Sequence, residues 1–451
     1  MIDYKEYKTD FRQNLLLAWP IMVGQLGQIA VNFIDNIMVG RLGPTPLASV
    51  SLAVSIYISL FVLGMGISFA LPPLIAAANG AQEDRKISQF FKHSLVVNMT
   101  YALFSILFVE FIAIPLLPHL GQDPEVVQLA KPYLTISAWT MIPLMIFQTL
   151  RCYADGMSET KPAMIAIIIG NVLNIILNYM LIFGHWGAPK MGVPGAALGT
   201  LISRIVMIFL IISLLRKWKD LWEPIRTAHY LEYTKRKTIT ILKLGIPSGL
   251  QMFFEVSAFA GAAMIMGTLG AKSQAAHQIA INLASITFLI CTGMGMAATI
   301  RVGNKLGKKD VRGIRNAGIS ALIQIIIFMA LGAILFVLFR NYLPLIYVED
   351  REVIEIAATL LILAALFQVS DGIQIVAAGA LRGLQDVTVP FVITFISYWL
   401  IGLPISYLSA HYFDLGPSGI WMGLVIGLTF SAFLLTTRFL NRIRKMKSKM
   451  L

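Results

Sequence analysis

Twelve apolar stretches, each of about 20–27 residues, follow one another along the whole chain. An α-helix rises 1.5 Å per residue, so each stretch can cross the roughly 30 Å hydrocarbon core of a bilayer. Of the 451 residues, 57% are hydrophobic and only 13% are charged, whereas an average soluble domain carries about 25% charged residues. The sequence therefore predicts an all-α integral membrane protein with twelve transmembrane helices.

The net charge of +13 has a topological explanation. Most of the 36 Lys and Arg residues fall in the two terminal segments and in alternate loops between the apolar stretches. Positively charged loops stay in the cytoplasm, so this pattern predicts that both termini are cytoplasmic. It also argues against nucleic acid as a partner, because the positive charge marks orientation. No cleavage site follows the first apolar stretch, so we expect no removable signal peptide.

The two halves of the chain resemble each other. Pro20 and Pro247 both occur early in long apolar stretches, and at the same spacing IMVGRLG (37–43) matches MIMGTLG (264–270). Such self-similarity at a fixed spacing indicates an internal repeat.

The repeat predicts two lobes of six helices each. We expect an amino-terminal lobe over residues 1–215, a basic cytoplasmic linker over 216–240 and a carboxyl-terminal lobe over 241–451. Because six is even, both lobes have the same orientation, so they are parallel repeats related by an axis along the membrane normal. Two such bundles leave a central cleft, which is typical of secondary transporters.

Four acidic residues interrupt the apolar stretches: Asp35, Glu110, Glu255 and Asp371. A charged side chain at the centre of a membrane helix costs about 2.5–3.5 kcal/mol even on the lenient insertion scales. Acids kept there usually hold a cation or pass a proton. The acids therefore favour an ion-coupled transporter.

Asp35 is the acid predicted for the amino-terminal lobe. Gln28 precedes it by two helical turns and shares its face, and on the fifth stretch Asn174 and Asn178 form a polar stripe with Asn171. A carboxyl group among amides predicts a proton or cation site, with Gln28, Asn174 and Asn178 in supporting roles. The alternative is a ladder of hydrogen bonds that packs the helices together.

Glu255 and Asp371 are the acids predicted for the carboxyl-terminal lobe, and both fall near the middle of their stretches. Together they could bind a monovalent cation such as Na⁺ through oxygen ligands, or share a proton. Each could also face water without a partner. Glu110 fits a snorkelling or water-facing role better. Arg204, near the middle of the sixth stretch, needs a carboxylate or carbonyl partner that the sequence does not identify.

Pro20 and Pro247 are hinge candidates, since proline removes a helical hydrogen bond and permits a bend. A static kink is the alternative. Cys152 and Cys291 are isolated, so they predict neither a disulfide nor a metal cluster. No spacing of catalytic residues and no nucleotide-binding loop occurs, so we expect neither an enzyme nor a nucleotide-driven pump.

Several motifs resemble those of the multidrug and toxic compound extrusion (MATE) transporter family, in its NorM-like branch. They are FIDNIMVGRLGPTPLASVSLA (33–53), AAHQIAINL (275–283) and ALRGLQDVTVP (380–390). The resemblance implies that Glu255 and Asp371 form a cation site and that Asp35 is the protonated acid of the amino-terminal lobe. Where the family often has tyrosine before the second acid, this chain has Phe367, which keeps a ring for cation–π contact but lacks the hydroxyl ligand.

These observations predict a monomeric antiporter of the bacterial inner membrane. It would export lipophilic organic cations, including drugs and toxins, by alternating access while Na⁺ or H⁺ enters, with membrane lipid as its surroundings and no cofactor besides the coupling ion. The alternative is a flippase for lipid-linked oligosaccharides, or a polysaccharide exporter of related fold. Such proteins usually need a more basic cleft, whereas Arg204 is the single basic residue that we place within a stretch.

Overall fold

A computed structural model describes residues 4–228 and 232–448, and their regular structure is helical throughout. The part of the chain so described contains twelve helices long and apolar enough to cross a membrane, as predicted. We number them α1 Thr9–Gly40, α2 Pro44–Gly80, α3 Asp84–Leu120, α4 Pro124–Gly156, α5 Lys161–Phe183, α6 Val193–Leu215, α7 Lys235–Gly267, α8 Ala271–Gly307, α9 Val311–Leu338, α10 Arg351–Gly383, α11 Thr388–His411 and α12 Gly416–Ser448.

Local sequence signals set several helix ends. Asp123, Asp310 and Asp350 cap α4, α9 and α10, and each side chain accepts a hydrogen bond from the first turn of its helix. At the other end of α5, Gly184 adopts a left-handed conformation with φ of 77°, which glycine reaches without the steric cost of a side chain. A short helix, Lys219–Thr227, lies in the linker between α6 and α7.

Two helices contain a widened π-helical segment, Val109–Ala113 in α3 and Ile396–Gly402 in α11. In both, a proline follows shortly after the segment, Pro115 in α3 and Pro404 in α11. Proline has no N–H, and its ring clashes with the carbonyl group four residues earlier. A wider turn relieves this clash, so the prolines give a local physical reason for the π segments.

The described chain forms two compact units. The amino-terminal unit covers Val23–Gly249. One of its core clusters brings α2, α3 and α4 together around buried side chains such as Leu60, Ile106, Leu134 and Met141. Glycine at position 170 of α5 allows close packing of α6, because a Cβ there would lie 2.2 Å from the Met207 Cγ atom.

The carboxyl-terminal unit comprises the described parts of Met1–Met22 and Leu250–Leu451. One of its core clusters surrounds Trp421, which is fully buried. The beginning of α1 belongs to this unit because Asn14, also fully buried, donates hydrogen bonds from Nδ2 to Ser320 Oγ and to Gln324 Oε1, over 3.1 and 2.7 Å.

The units differ at two places from the predicted lobes of residues 1–215 and 241–451. The start of α1 belongs to the carboxyl-terminal unit, and the start of α7 to the amino-terminal unit. Glycines explain the second difference: a Cβ on Gly249 would lie 3.0 Å from the Leu63 carbonyl oxygen, so α7 approaches the backbone of α2 closely there. Sequence similarity marks where the repeats begin, but tertiary contacts decide which helix ends pack together.

Candidate functional site

Asp35 lies in the amino-terminal unit with the two amides predicted to support it. Asn178 Nδ2 donates a hydrogen bond to Asp35 Oδ1 over 2.7 Å, and Asn174 Oδ1 lies 3.3 Å from the same nitrogen. With the Asn174 amide turned over, its nitrogen lies 3.2 Å from Asp35 Oδ1. The spacing of Asn174 and Asn178 places both amides on one face of α5. The structure therefore brings these three predicted residues together.

Helix α6 completes this group with hydroxyls. Thr200 Oγ1 and Ser203 Oγ lie 3.2 and 3.4 Å from Asn174 Nδ2. Gly199 makes the close packing possible, because a Cβ at that position would lie 2.1 Å from Asn178 Oδ1. A half-buried carboxylate beside amide and hydroxyl oxygens is a donor set that suits a proton or a hard monovalent cation.

Gln28 and Asn171 do not join the group. Within residues 9–228 and 232–448, the Gln28 side chain makes no hydrogen bond, and the buried Asn171 Nδ2 has no hydrogen-bond partner. Asn171 instead packs against α1, where a Cβ on Gly27 would lie 2.9 Å from its Nδ2 atom. The supporting role predicted for Gln28 therefore has no side-chain hydrogen bond behind it within the described residues.

Arg204 is bound by hydroxyl groups. Its Nη1 atom donates to Tyr57 Oη over 2.6 Å and to Thr140 Oγ1 over 2.5 Å, and the guanidinium carbon lies 5.7 Å from the centre of the Tyr57 ring. Among the side chains that the structure describes, no carboxylate lies within 4 Å of it. It does interact electrostatically with Asp35. Arg204 is therefore a positive charge held near the Asp35 group by neutral partners.

Glu255 and Asp371 lie in the carboxyl-terminal unit, and the two carboxyl groups interact electrostatically. Asp371 is 4% exposed, and Glu255 is half-buried. Over the described ranges, Glu255 Oε1 and Asp371 Oδ1 are buried without a hydrogen-bond partner, and so are both amide atoms of Gln368. Buried polar atoms normally have partners. These oxygens therefore offer unused coordination to a proton or a cation, which fits the predicted Na⁺ ligands.

Tyr398 and Gln374 belong to the same group, although we did not predict them. Tyr398 Oη donates to Gln374 Oε1 over 3.2 Å, and the Tyr398 side chain interacts electrostatically with Glu255. Both residues are 1% exposed. One signal could have found Gln374, since it lies one turn after Asp371 on the same helix. Tyr398 follows Glu255 by more than a hundred residues, so no spacing in the sequence indicates the contact.

Phe367 occupies an aromatic core. Its ring centre lies 5.8 Å from that of Phe259 and 5.5 Å from that of Trp421, both in edge-on arrangements. Phe367 is 4% exposed. The geometry thus gives the ring a packing role, and the cation–π contact implied by the resemblance stays a prediction.

Glu110 lies in the π segment of α3, half-buried, and its Oε1 atom has no hydrogen-bond partner in the described part of the chain.

Across the residues whose positions are described, no three His, Cys, Asp or Glu side chains come together as a metal site. The two acids of the carboxyl-terminal unit are therefore a pair, and further oxygen ligands for a cation would come from amides, hydroxyls, backbone carbonyls or water.

The two hinge candidates lie inside continuous helices, Pro20 in α1 and Pro247 in α7. The boundaries between the compact units fall shortly after each, at Met22 and at Gly249. Each proline thus marks the place where a helix passes from one unit to the other. A hinge function for them stays a prediction.

Comparison with known proteins gives nearly full-length matches. The chain is 35% identical over 447 residues to the "Probable multidrug resistance protein NorM" of Rhizobium meliloti, covering 98% of this chain and 96% of the relative. It is 34% identical over 436 residues to the "Multidrug resistance protein NorM" of Photobacterium profundum, covering 96% and 95%. A crystal structure of a MATE protein in the bent conformation shares the fold, with a TM-score of 0.90 at 22% identity, covering 99% of this chain and 98% of that one.

The family assignment confirms the resemblance seen in the motifs, and it also reflects the repeat. The same family model, described as MatE, matches twice, over residues 20–180 and 247–408. The two matches begin at Pro20 and Pro247, the residues that first indicated the repeat. The chain belongs to the MatE family.

Proposed function

We propose that this protein is a cation-coupled antiporter that exports lipophilic organic cations by alternating access, in exchange for Na⁺ or H⁺. The names of its relatives support an export of drugs. The observation that carries the coupling is the pair Glu255 and Asp371, whose buried oxygens lack hydrogen-bond partners in the described chain. An ionised carboxyl group is costly within a membrane helix, and a proton or cation that neutralises it removes that cost.

The two units offer two separate carboxyl sites. Asp35 is surrounded by amides and hydroxyls, whereas Glu255 and Asp371 form an acid pair beside one phenol and one amide. Two interacting acids cannot easily both be ionised, so one proton or one Na⁺ relieves their repulsion. The pair therefore suits ion entry, and an organic cation that approaches either site would compete with that ion for the same negative charge.

Exchange also requires that ion and drug favour different conformations. Pro20 and Pro247 lie where α1 and α7 pass between the compact units. α1 also carries Asp35 and α7 carries Glu255. A bend at either proline would therefore shift the helix that carries an acid. In this way, neutralisation of the acid could be coupled to a change in the shape of its helix.

We place the protein in the bacterial inner membrane with both termini cytoplasmic, on the basis of its basic loops. Twelve helices that can span the bilayer make it a multi-pass membrane protein. We propose that it works as a monomer, in contact with membrane lipid, and without a cofactor beyond the coupling ion.

The test uses purified protein in liposomes loaded with ethidium, a fluorescent organic cation. A sodium gradient and a pH gradient are imposed separately, and ethidium efflux is followed. We expect efflux with at least one gradient, and the gradient that drives it identifies the coupling ion. The double variant Glu255→Gln with Asp371→Asn should lose this efflux. The control Glu110→Gln also removes an acid within a membrane helix and should retain it. Efflux that ignores both gradients would refute the antiporter.

A further inference from the structure

The linker between α6 and α7 carries an excess of positive charge. Positions 216–240 hold seven basic and three acidic residues, a net charge of +4. Arg226 and Glu223 form an ion pair within the short linker helix, over 2.8 Å. Five other basic side chains are exposed, and in the part of the chain that the structure describes none of them has a carboxylate within 4 Å: Arg216, Lys217, Lys219, Lys235 and Arg236. We call these five residues the basic linker surface.

The first half of the linker is fixed to the cytoplasmic ends of α3 and α4. The short helix Lys219–Thr227 buries Leu221, whose carbonyl oxygen accepts a hydrogen bond of 2.8 Å from Tyr153 Oη on α4. At the end of the same helix, the hydroxyl groups of Thr227 and Ser88 lie 3.2 Å apart, which joins the linker to the first turns of α3.

The second half of the linker is fixed to the same part of α3. The Thr234 N–H donates a hydrogen bond of 2.8 Å to Nε2 of His93, which is fully buried. Lys237 Nζ lies 4.3 Å from the centre of the Phe90 ring, a cation–π contact. The basic side chains before and after the linker are therefore carried by backbone that is held on one helix.

The basic linker surface begins where the chain leaves the membrane. Helix α6 ends at the fully buried Leu215, and Arg216 follows directly. The guanidinium carbon of Arg216 lies 4.7 Å from the centre of the Trp222 ring. Trp218 is 44% exposed, and tryptophan is enriched at membrane–water interfaces, where its ring and its N–H group meet different surroundings. Charge and aromatic rings thus lie together at the level of the lipid headgroups.

We propose that the basic linker surface is a binding site for anionic phospholipid headgroups. Lysine and arginine side chains directly beside a membrane helix attract acidic lipids, and a guanidinium group can donate two parallel hydrogen bonds to phosphate oxygens. The exposed acids Asp220 and Glu232 lower this attraction, but the linker keeps its net positive charge. A bilayer offers several headgroups at once and also surrounds Trp218, which a dissolved phosphate ion does not. The inference does not depend on the proposed antiport.

The experiment measures tryptophan fluorescence of the full-length protein in liposomes of phosphatidylcholine with a minor fraction of phosphatidylglycerol. Bromine atoms, which quench tryptophan on contact, are placed near the headgroup end of the acyl chains. They are carried either by the phosphatidylglycerol or by an equal amount of the phosphatidylcholine. Comparison with Trp218→Phe isolates the quenching of Trp218. We expect brominated phosphatidylglycerol to quench Trp218 several-fold more than brominated phosphatidylcholine, and NaCl should reduce this excess by screening.

Neutralising the surface should remove the excess quenching. The test variant combines Lys217→Gln, Lys219→Gln, Lys235→Gln and Arg236→Gln. The charge-matched control changes four exposed basic residues of the carboxyl-terminal unit and should keep the excess; it combines Lys308→Gln, Lys309→Gln, Arg315→Gln and Lys445→Gln. The milder pair Lys217→Gln with Lys219→Gln should lose part of the excess, and it decides if the fourfold variant does not fold.

Three results would overturn the inference. The first is equal quenching of wild-type Trp218 by the two brominated lipids. The second is an excess that survives in the linker variant or disappears equally in the control, because net charge alone would then explain it. The third is an excess that inorganic phosphate removes more effectively than NaCl of the same ionic strength, since the surface would then bind the free anion. Transport is not measured, so a failure of the antiport would leave these results unchanged.

Discussion

Asn178 Nδ2 donates a hydrogen bond of 2.7 Å to Asp35 Oδ1, joining α5 to α1 inside the amino-terminal unit. The Asn178 side chain is fully buried, and Asp35 lies near the end of α1. Bonds to charged groups contribute about 1.5–3 kcal/mol, more than those between neutral groups. The hydrogen bond therefore helps to fix the position of the Asp35 side chain and favours its ionised form.

Asn178→Leu should separate this contact from general packing. The substitution removes the amide that faces Asp35 and preserves most of the volume, so we expect gradient-driven efflux to fall by about tenfold, in line with loss of a bond to a charged group. Asn171→Leu is the control on the same polar stripe. The buried Asn171 Nδ2 lacks a hydrogen-bond partner in the described chain, so its removal should leave efflux intact and melting temperature equal or higher. Equal defects in both variants would contradict a special role for Asn178.

Arg204→Met should strengthen cation binding at Asp35. The guanidinium interacts electrostatically with Asp35, so its positive charge opposes a bound cation. We expect the concentration of coupling ion that gives half-maximal efflux to fall several-fold. Thr140→Val removes a hydrogen-bond partner of Arg204 but keeps the charge, and should change this concentration little. An unchanged or higher concentration in Arg204→Met would show that the charge does not act on this site.

Arg301→Met should destabilise the fold. Arg301 forms an ion pair with Asp10 and donates to Asn14 Oδ1 over 2.6 Å, and the side chains of Arg301 and Asp10 are 7% and 13% exposed. Breaking a buried ion pair costs about 3–5 kcal/mol, because one charge stays buried alone. The melting temperature in detergent should therefore drop by several degrees. Arg315→Met, at an exposed position of α9, should leave it unchanged.

Acid should weaken the contact between the loop after α10 and α12. Burial raises the pKa of Asp386, but hydrogen bonds from Arg438 and Arg442 outweigh this and hold the pKa below its usual value. A carboxylate with a lowered pKa adds stability above its unfolded value of about 3.9, and that stability disappears as the pH falls through the folded value. Wild type should thus melt higher than Asp386→Asn at pH 7, and the gap should close below about pH 4. A gap that persists in acid would rule out the ion pair as its source.

Patterns along the chain predicted the large features correctly. Long apolar stretches gave the twelve helices, and short motifs gave the family, because both depend on local composition and on residues close in sequence. The spacing of Asn174 and Asn178 also placed two amides on one helix face. Asp35 and Asn178 also lie at similar distances from the ends of their stretches, so the same depth in the membrane could be predicted for both.

Contacts between distant stretches could not be predicted in this way. Tyr57 and Thr140 bind Arg204, and Tyr398 interacts electrostatically with Glu255, although the partners lie far apart in the sequence. The compact units likewise divide α1 and α7 within their length, although the repeat suggested a division at the linker.

Hydrophobicity and charge along the chain determined by themselves that this protein spans a membrane, repeats its architecture and keeps acids within its helices, because the bilayer acts on each stretch of sequence separately. Only the tertiary structure decided which neighbours those acids have. Side chains meet through helix packing, and packing depends on small residues such as Gly199 and on wide turns such as Ile396–Gly402, whose effect appears only when another helix lies against them.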